Sequence, residues 1–540
     1  MLVPLLIAAA VLAISFTFSR IRYIRFRQYA HFSQFPNTLL LGHLKVFGDF
    51  TKRNKPDAHA DIAIVAMNRA LGRPPLMLID MRPISDPIVV VGDYEVAEQL
   101  TKASKMFPTS APKSPSSLER LLYLNGPTSI FSQYGEEWRR LRKMFNPGFA
   151  PQYLVTFIPE ISDKGIIFLK HLDSLVKSGD TFSLMKLTTG LTFDIIGKVV
   201  METDLDAQRY DQDKKGELVG LFETMLDAYN GERINLPWWL TLGKVKRRAA
   251  LSNRISNLLR TMVYRKHVEL HESEGDSPNP RSVLSLGLQE IATLTPKVAD
   301  EICDQLRSFL FAGHDTTSIL LSWAFYELSR TPHALCAIRA ELDNLFGPDT
   351  DPAAVRSRLL EQIDLVQQMT YVSAVIKETL RLHPPGGTAR KIPEGSGFTV
   401  RMPDGEQKCL DGLVVYNCQS IIHRDPKAYG DTAEHFVPER WLTSDDAAIP
   451  AGAWRPFERG PRNCIGQELA NIEARVIIAL TVRRYDFIKV GLGEVALDES
   501  NQPSLDSSNG QYRVLEELYS TRKVTSKPVD GMMMKVRLAK

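Results

Sequence analysis

The sequence predicts a mainly α fold with a smaller β region, preceded by one apolar helix. Three observations carry this. Glu301 to about Ser329 holds a long helical pattern ended by Thr331-Pro332, and Tyr371–His383 reads as another helix, stopped by Pro384-Pro385. A third helix runs from about Ile465 to about Arg484. The β signals are short: Pro87-Ile-Val-Val-Val-Gly, with Met77-Leu-Ile as its partner, and Val414–Ile422. The 540 residues are 44% hydrophobic, enough to fill a large core, and a net charge of +3 gives no reason to expect nucleic acid. Cys303, Cys336, Cys409, Cys418 and Cys464 are odd in number and scattered, which argues for a reducing compartment over a disulfide framework. No repeat of solenoid period and no long low-complexity tract is present.

Leu2–Phe18 is apolar apart from Ser15 and Thr17. As a helix it spans about 26 Å, slightly short of a ~30 Å hydrocarbon core. Arg20, Arg22, Arg25 and Arg27 follow at once, with Tyr23 and Tyr29 among them. The positive-inside bias then puts everything after Phe18 in the cytosol. A cleaved signal peptide would want basic residues before the apolar run and small residues after it, and neither is there. The division expected is an anchor over 1–19, a basic juxtamembrane linker over 20–50 with only Pro36 as a hinge proline, and a catalytic domain over 51–540.

Phe457–Gly466 reads Phe-Glu-Arg-Gly-Pro-Arg-Asn-Cys-Ile-Gly. Gly460 permits a turn with positive φ and Gly466 a close backbone approach. Backbone N–H groups around Cys464, with a helix start behind it, favour thiolate over thiol. No second cysteine stands at zinc spacing, which argues against a tetrahedral zinc site. A lone axial thiolate suits haem iron; the bland alternative is an inert cysteine in a loop. The stretch resembles the haem-binding loop of the cytochrome P450 superfamily, Phe-x-x-Gly-x-x-x-Cys-x-Gly, through Phe457, Gly460, Cys464 and Gly466. Glu458 departs from it, since many members carry Gly or Ser there.

Other motifs stand in the family's order, so that the resemblance covers roughly Arg82 to Met534. It implies the cytochrome P450 fold, with haem b on Cys464 as the metal ligand. Phe107–Phe131 resembles the variable loop over the active site. Trp138-Arg-Arg-Leu-Arg142 puts Trp138 and Arg142 on one helix face, and the family uses such a pair to hold a haem propionate. Arg139 and Lys143 lie on another face. The resemblance also assigns Arg390, after Gly386-Gly-Thr-Ala, and Arg462 to cofactor binding. The two glycines there suggest room near the haem. The stretch around Phe193-Asp-Ile-Ile-Gly197 reads as scaffold. Pro237-Trp238-Trp239-Leu240, with cations behind it, suits either a membrane interface or a buried lid. His271–Arg281 reads as a loop.

Ala312-Gly-His-Asp-Thr-Thr317 lies mid-helix and matches the family's acid–alcohol motif. Gly313 allows close approach to a cofactor and a local opening of the hydrogen-bond ladder. Thr316 then places a hydroxyl by bound dioxygen, and Asp315 relays protons from solvent. Glu378 and Arg381 stand at i, i+3, and the family joins them to an arginine from a later Pro-Glu-Arg segment, here Arg440. Such a buried cluster locks the cysteine loop from behind. Lys527-Pro-Val-Asp-Gly-Met-Met-Met534 resembles the last substrate-contacting turn, with Met532–Met534 as flexible apolar lining.

The resemblance implies a membrane-bound monooxygenase of the endoplasmic reticulum that inserts one oxygen atom of O2 into an apolar small molecule. No Gly-rich flavin or nicotinamide motif appears, so electrons from NADPH would come through a separate flavoprotein reductase. That partner would dock on a basic patch of Arg139 and Lys143, extended by Arg455 and Arg459. The tail and pocket loops resemble filamentous-fungal enzymes of secondary metabolism, some acting on polyketide mycotoxin precursors. Two rivals stand beside this: an isomerase or dehydratase of the same fold, and a non-catalytic haem electron-transfer or sensor protein.

Overall fold

A computed structural model describes residues 2–209, 215–230, 241–272, 282–289, 291–442 and 449–539. The Pro237–Leu240 stretch and most of the His271–Arg281 loop lie outside these. Seven helices frame the site: α1 (Leu2–Phe26), α2 (Gly135–Phe145), α3 (Ile158–Ser178), α4 (Leu184–Met201), α5 (Pro296–Arg330), α6 (Thr370–Leu382) and α7 (Gln467–Thr481). The 35-residue α5 crosses the core and packs on α4, α6 and α7. It begins earlier than the apolar pattern suggests. Thr295 caps it, its hydroxyl accepting from the Val298 N–H, and Pro296 fits the first turn, where no N–H is needed. α6 stops at Leu382, two residues short of Pro384, because a residue before proline is pushed out of the helical region.

The largest sheet joins β1 (Leu76–Ile79), β2 (Ile88–Val91), β4 (Thr388–Lys391) and β5 (Val414–Asn417) in the order β1-β2-β5-β4. Met77 faces Val90 across the antiparallel β1–β2 pair, as the sequence suggests. β2 and β5 run parallel, with Val89 beside Val415. The Val414–Ile422 strand is shorter than expected. It ends at Asn417, and Gln419–Ile422 is a helical turn. β3 (Phe182–Ser183) and β6 (Tyr485–Lys489) flank β9 (Met533–Leu538), while β7 (Ser520–Lys523) and β8 (Thr525–Pro528) form a hairpin.

α1 is long and apolar enough to cross a membrane, and its apolar stretch is exposed. The segment after it is no loose tether. Leu44–Lys52 is helical, Ser33 bridges Met77, and Arg25 is buried against Asp80. Met532 and Met534 are also buried, in the core beside β9, so they are not the pocket lining expected of them.

Candidate functional site

The cysteine loop is held by its own backbone. The Cys464 N–H donates to the Phe457 carbonyl (2.9 Å), and Phe457 packs half-buried against the core. Gly460 has φ +79°, and a Cβ there would lie 2.1 Å from the Thr101 carbonyl oxygen, so glycine is required twice over. At Gly466 a Cβ would meet, among protein atoms, only the Cys464 Sγ, at 4.0 Å. Glu458 sits at φ +54°, a conformation glycine adopts without strain and other residues at a cost of ~1 kcal/mol or more. The cost is offset locally. Its carboxylate accepts from Arg455 Nε (2.9 Å), Arg455 Nη2 (2.7 Å) and Asn417 Nδ2 (2.9 Å). That explains the departure from Gly or Ser, and it corrects Arg455. This side chain is buried in the loop's support and is no part of a surface patch.

Helix α7 starts at Gln467, two residues later than expected, leaving Cys464 in the turn before it. Cys464 is exposed and opens into a cleft lined by Arg142, Phe149 and Asn463. Burial pushes the thiol up, against the pull of the Gly466 N–H and the Arg142 and Lys113 charges.

Four cations surround that space. Arg142 forks onto Asn463, with Nη1 donating to its carbonyl (2.8 Å) and Nη2 to its side-chain oxygen (3.0 Å). Arg462 lies over the buried Trp138 ring, 5.0 Å from its centroid, and donates to the Ile130 (3.2 Å) and Gln133 (2.9 Å) carbonyls. Arg390, on β4, donates from Nη1 to the Ala111 carbonyl (3.2 Å), and its buried Nε has no acceptor. Lys113 was not singled out by the sequence. It bridges Arg390 through the backbone and sets its ammonium 3.2 Å from the Phe131 ring centroid. Burial, together with Arg462 and Arg390, pushes the Lys113 ammonium well down, and burial with Arg390 holds Arg462 down to about 9. Glu458 is the acid acting on Arg390. Excess positive charge, an orphaned guanidinium N–H and a free cysteine sulfur match an iron macrocycle carrying carboxylates, so the residues present fit haem.

On α5, Ala312, Gly313 and Thr316 reach accessible surface while His314 and Asp315 are buried. The Thr316 hydroxyl donates to the Ala312 carbonyl (2.8 Å). The helix is α throughout, without the expected opening. Gly313 serves packing instead: a Cβ there would lie 2.6 Å from the Ile196 Cδ1 and Cγ1 of α4, the stretch read as scaffold. Asp315 differs most from expectation. It has no exposed surface; Thr525 Oγ1 donates to its Oδ2 (2.5 Å), and Lys527 pairs with its Oδ1. Lys527 therefore meets the acid rather than substrate. Its distance in sequence hid this. His314, packed 4.4 Å from the Phe193 ring centroid, is held down to about 4 by burial and stays neutral. At Gly387 a Cβ would lie 2.5 Å from the Tyr416 Oη, whereas at Gly386 it would meet open space.

Behind the loop, Glu378, Arg381 and Arg440 meet as expected. Arg381 donates to Glu378 from Nε (2.9 Å) and Nη2 (2.7 Å), and Arg440 from Nε (3.0 Å). Arg139 and Lys143 are exposed on α2, and Arg459 is half-exposed and paired with Glu98.

Residues 74–512 match the family profile described as Cytochrome P450. Cytochrome P450 monooxygenase acrF of Aspergillus aculeatus is 28% identical over 89% of this chain and 97% of its own length. Cytochrome P450 monooxygenase polC of Polytolypa hystricis is 28% identical over 84% of this chain and 80% of its own length. The crystal structure of cytochrome P450DA heme domain superposes with a TM-score of 0.70 over 94% of this chain and 98% of its own, at 18% identity, a likeness of fold.

Proposed function

The chain belongs to the cytochrome P450 family and is a monooxygenase, and on that premise we propose that it oxidises an apolar secondary metabolite at the endoplasmic reticulum membrane. The observation that carries this is the excess of cations gathered around Cys464. Bound haem supplies activation of O2, which puts one oxygen atom into the substrate and releases the other as water. Cys464 would hold the iron through its sulfur. Arg142, Arg390, Arg462 and Lys113 would neutralise the propionates, with Trp138 as the platform that keeps Arg462 in place.

The protein's part in the chemistry is proton handling. The Thr316 hydroxyl donates to the Ala312 carbonyl and would be the group that passes a proton to bound dioxygen. Asp315 would accept protons for that relay from Thr525 and Lys527, which hold it in place. The fungal origin of the two relatives supports a secondary metabolite, with polyketide mycotoxin precursors as the first class to test. A separate NADPH-dependent flavoprotein supplies electrons. Titrating apolar polyketides into the full-length haem protein should give a saturable haem spectral shift with at least one. That compound should turn over only with NADPH and reductase. A compound that shifts the spectrum and is converted without NADPH would replace this with peroxide rearrangement.

A further inference from the structure

The anchor helix does not end in a hinge. α1 runs unbroken from Leu2 to Phe26, and its last turn is built into the catalytic domain. Arg25 is only 7% exposed. Its Nη1 donates to Asp80 Oδ2 (2.7 Å), Nε to the Leu39 carbonyl (3.1 Å), and Nη2 to the Leu40 (2.7 Å) and Arg82 (2.8 Å) carbonyls. The helix's own carbonyls are taken up too: Arg82 Nη2 donates to Ile24 (3.1 Å) and Asn37 Nδ2 to Arg25 (2.8 Å). Asp80 is fully buried at the end of β1, and its N–H donates to His43 Nδ1 (2.9 Å). Gly42 has φ +54°, and a Cβ there would lie 2.5 Å from both Arg25 Nη1 and the Asp80 carbonyl oxygen. The Arg25 guanidinium, the Asp80 carboxylate and the carbonyls of Ile24 and Arg25 are all engaged at the junction.

The same clamp presents an apolar tip. Leu40 gives its carbonyl to Arg25, yet its side chain is 70% exposed, and Leu41 is 51% exposed. Tyr23 and Phe26, near the end of α1, are exposed too. Depth follows from helix rise. With the apolar run centred on Ala10, Arg25 lies about 22 Å from the bilayer midplane. Half of a bilayer including headgroups is about 20–22 Å. The Leu39–Gly42 loop is thus level with the outer headgroups, and Tyr23 lies deeper, where aromatic residues prefer to sit. Arg20, Arg22 and Arg27 are close by to meet anionic lipid.

We propose that the Leu40–Leu41 tip is a second lipid contact, and that the Arg25–Asp80 clamp uses it to fix the tilt of the catalytic domain on the membrane. This rests on α1 being the membrane anchor. The test uses the full chain, one copy per nanodisc of phosphatidylcholine and phosphatidylserine at 4:1. An environment-sensitive fluorescent amino acid replaces Leu40, Leu41 or, as control, the exposed Leu515. Flotation with vesicles first reports insertion, and a chain that does not float overturns the anchor and this inference together. In a chain that floats, emission from positions 40 and 41 should shift to the blue and be quenched by lipids brominated near the headgroup, unlike position 515. Equal behaviour at all three positions would overturn this inference alone. Asp80→Asn and Arg25→Ala should each cut quenching at position 41 at least twofold with flotation and the haem spectrum unchanged. Undiminished quenching in both would remove the clamp from the proposal. A signal that needs two copies per disc would assign the tip to self-association and overturn lipid contact.

Discussion

Removing Glu378 is the sharpest test of how the cysteine loop is held. Five donors converge on its carboxylate: Arg381 Nε and Nη2, Arg440 Nε, the Val437 N–H (2.9 Å) and Trp441 Nε1 (2.9 Å). Arg381 is itself fully buried and also serves the His423, Ala433 and His435 carbonyls. Glu378→Ala would leave that guanidinium without its counter-ion and orphan all five donors. Breaking a buried pair from one side costs about 3–5 kcal/mol. Total stability is about 5–15 kcal/mol, so about a fifth or more of it is at stake. Glu378→Gln keeps the volume but loses at least one charge-assisted bond, worth about 1.5–3 kcal/mol. Urea unfolding followed by near-ultraviolet circular dichroism measures both, and haem content after purification reports the loop. The two variants should rank Ala below Gln below the parent. A Glu378→Ala cost under about 1 kcal/mol would refute the view that this cluster holds the loop.

Cys464→Ser should abolish the red-shifted carbonyl band of the ferrous haem protein; a surviving band would remove Cys464 as ligand. Lys527→Met should leave substrate affinity nearly unchanged while more NADPH is diverted to peroxide, measured as product per NADPH, because Asp315 loses its cationic neighbour. Stability should fall as pH drops from about 6.5 toward 3. His423 is held down to about 3 by burial, then by Arg381, Arg455 and Arg424, so below 6.5 the unfolded chain takes up a proton that the folded chain refuses. Its Nδ1–H donates to the Arg381 carbonyl and its Nε2 accepts from the Arg455 N–H, which fixes the neutral form; a flat unfolding midpoint between pH 6.5 and 4 would contradict this. Replacing Arg139 and Lys143 with Glu should raise the reductase concentration for half-maximal turnover and leave peroxide-driven turnover unchanged. A fall in both rates would show that these residues support the haem.

Much of the site could be read from the chain because its chemistry is local. Cys464, Gly460 and Phe457 lie within one loop, and Glu378 and Arg381 are one helical turn apart. What could not be read depends on which distant segments meet. Lys113 reaches the cofactor space because its backbone bridges Arg390 across the sheet edge. Gly313 is explained by Ile196 on another helix. Arg455 looks like one more cation beside Arg459, and only its contact with Glu458, in a turn of positive φ, takes it off the surface. In each case the residue type is visible in the sequence, but its burial is a property of the neighbouring element.

Asp315 shows what that difference does to a mechanism. As a sequence motif, an acid beside Thr316 invites a direct path from solvent. In the folded chain the carboxylate has no exposed surface, and both its oxygens are engaged by β8. A buried carboxylate stays ionised only while its partners stay in place. Protons can then reach it through the groups that hold it. Thr525 offers a hydroxyl proton, and Lys527 an ammonium that is partly open to the surface. The hairpin that carries them is β7–β8, near the C-terminus. On the proposed role of Asp315, control of proton delivery would be shared between α5 and this β-hairpin, so a change that moves the hairpin should affect coupling even where it leaves the haem untouched.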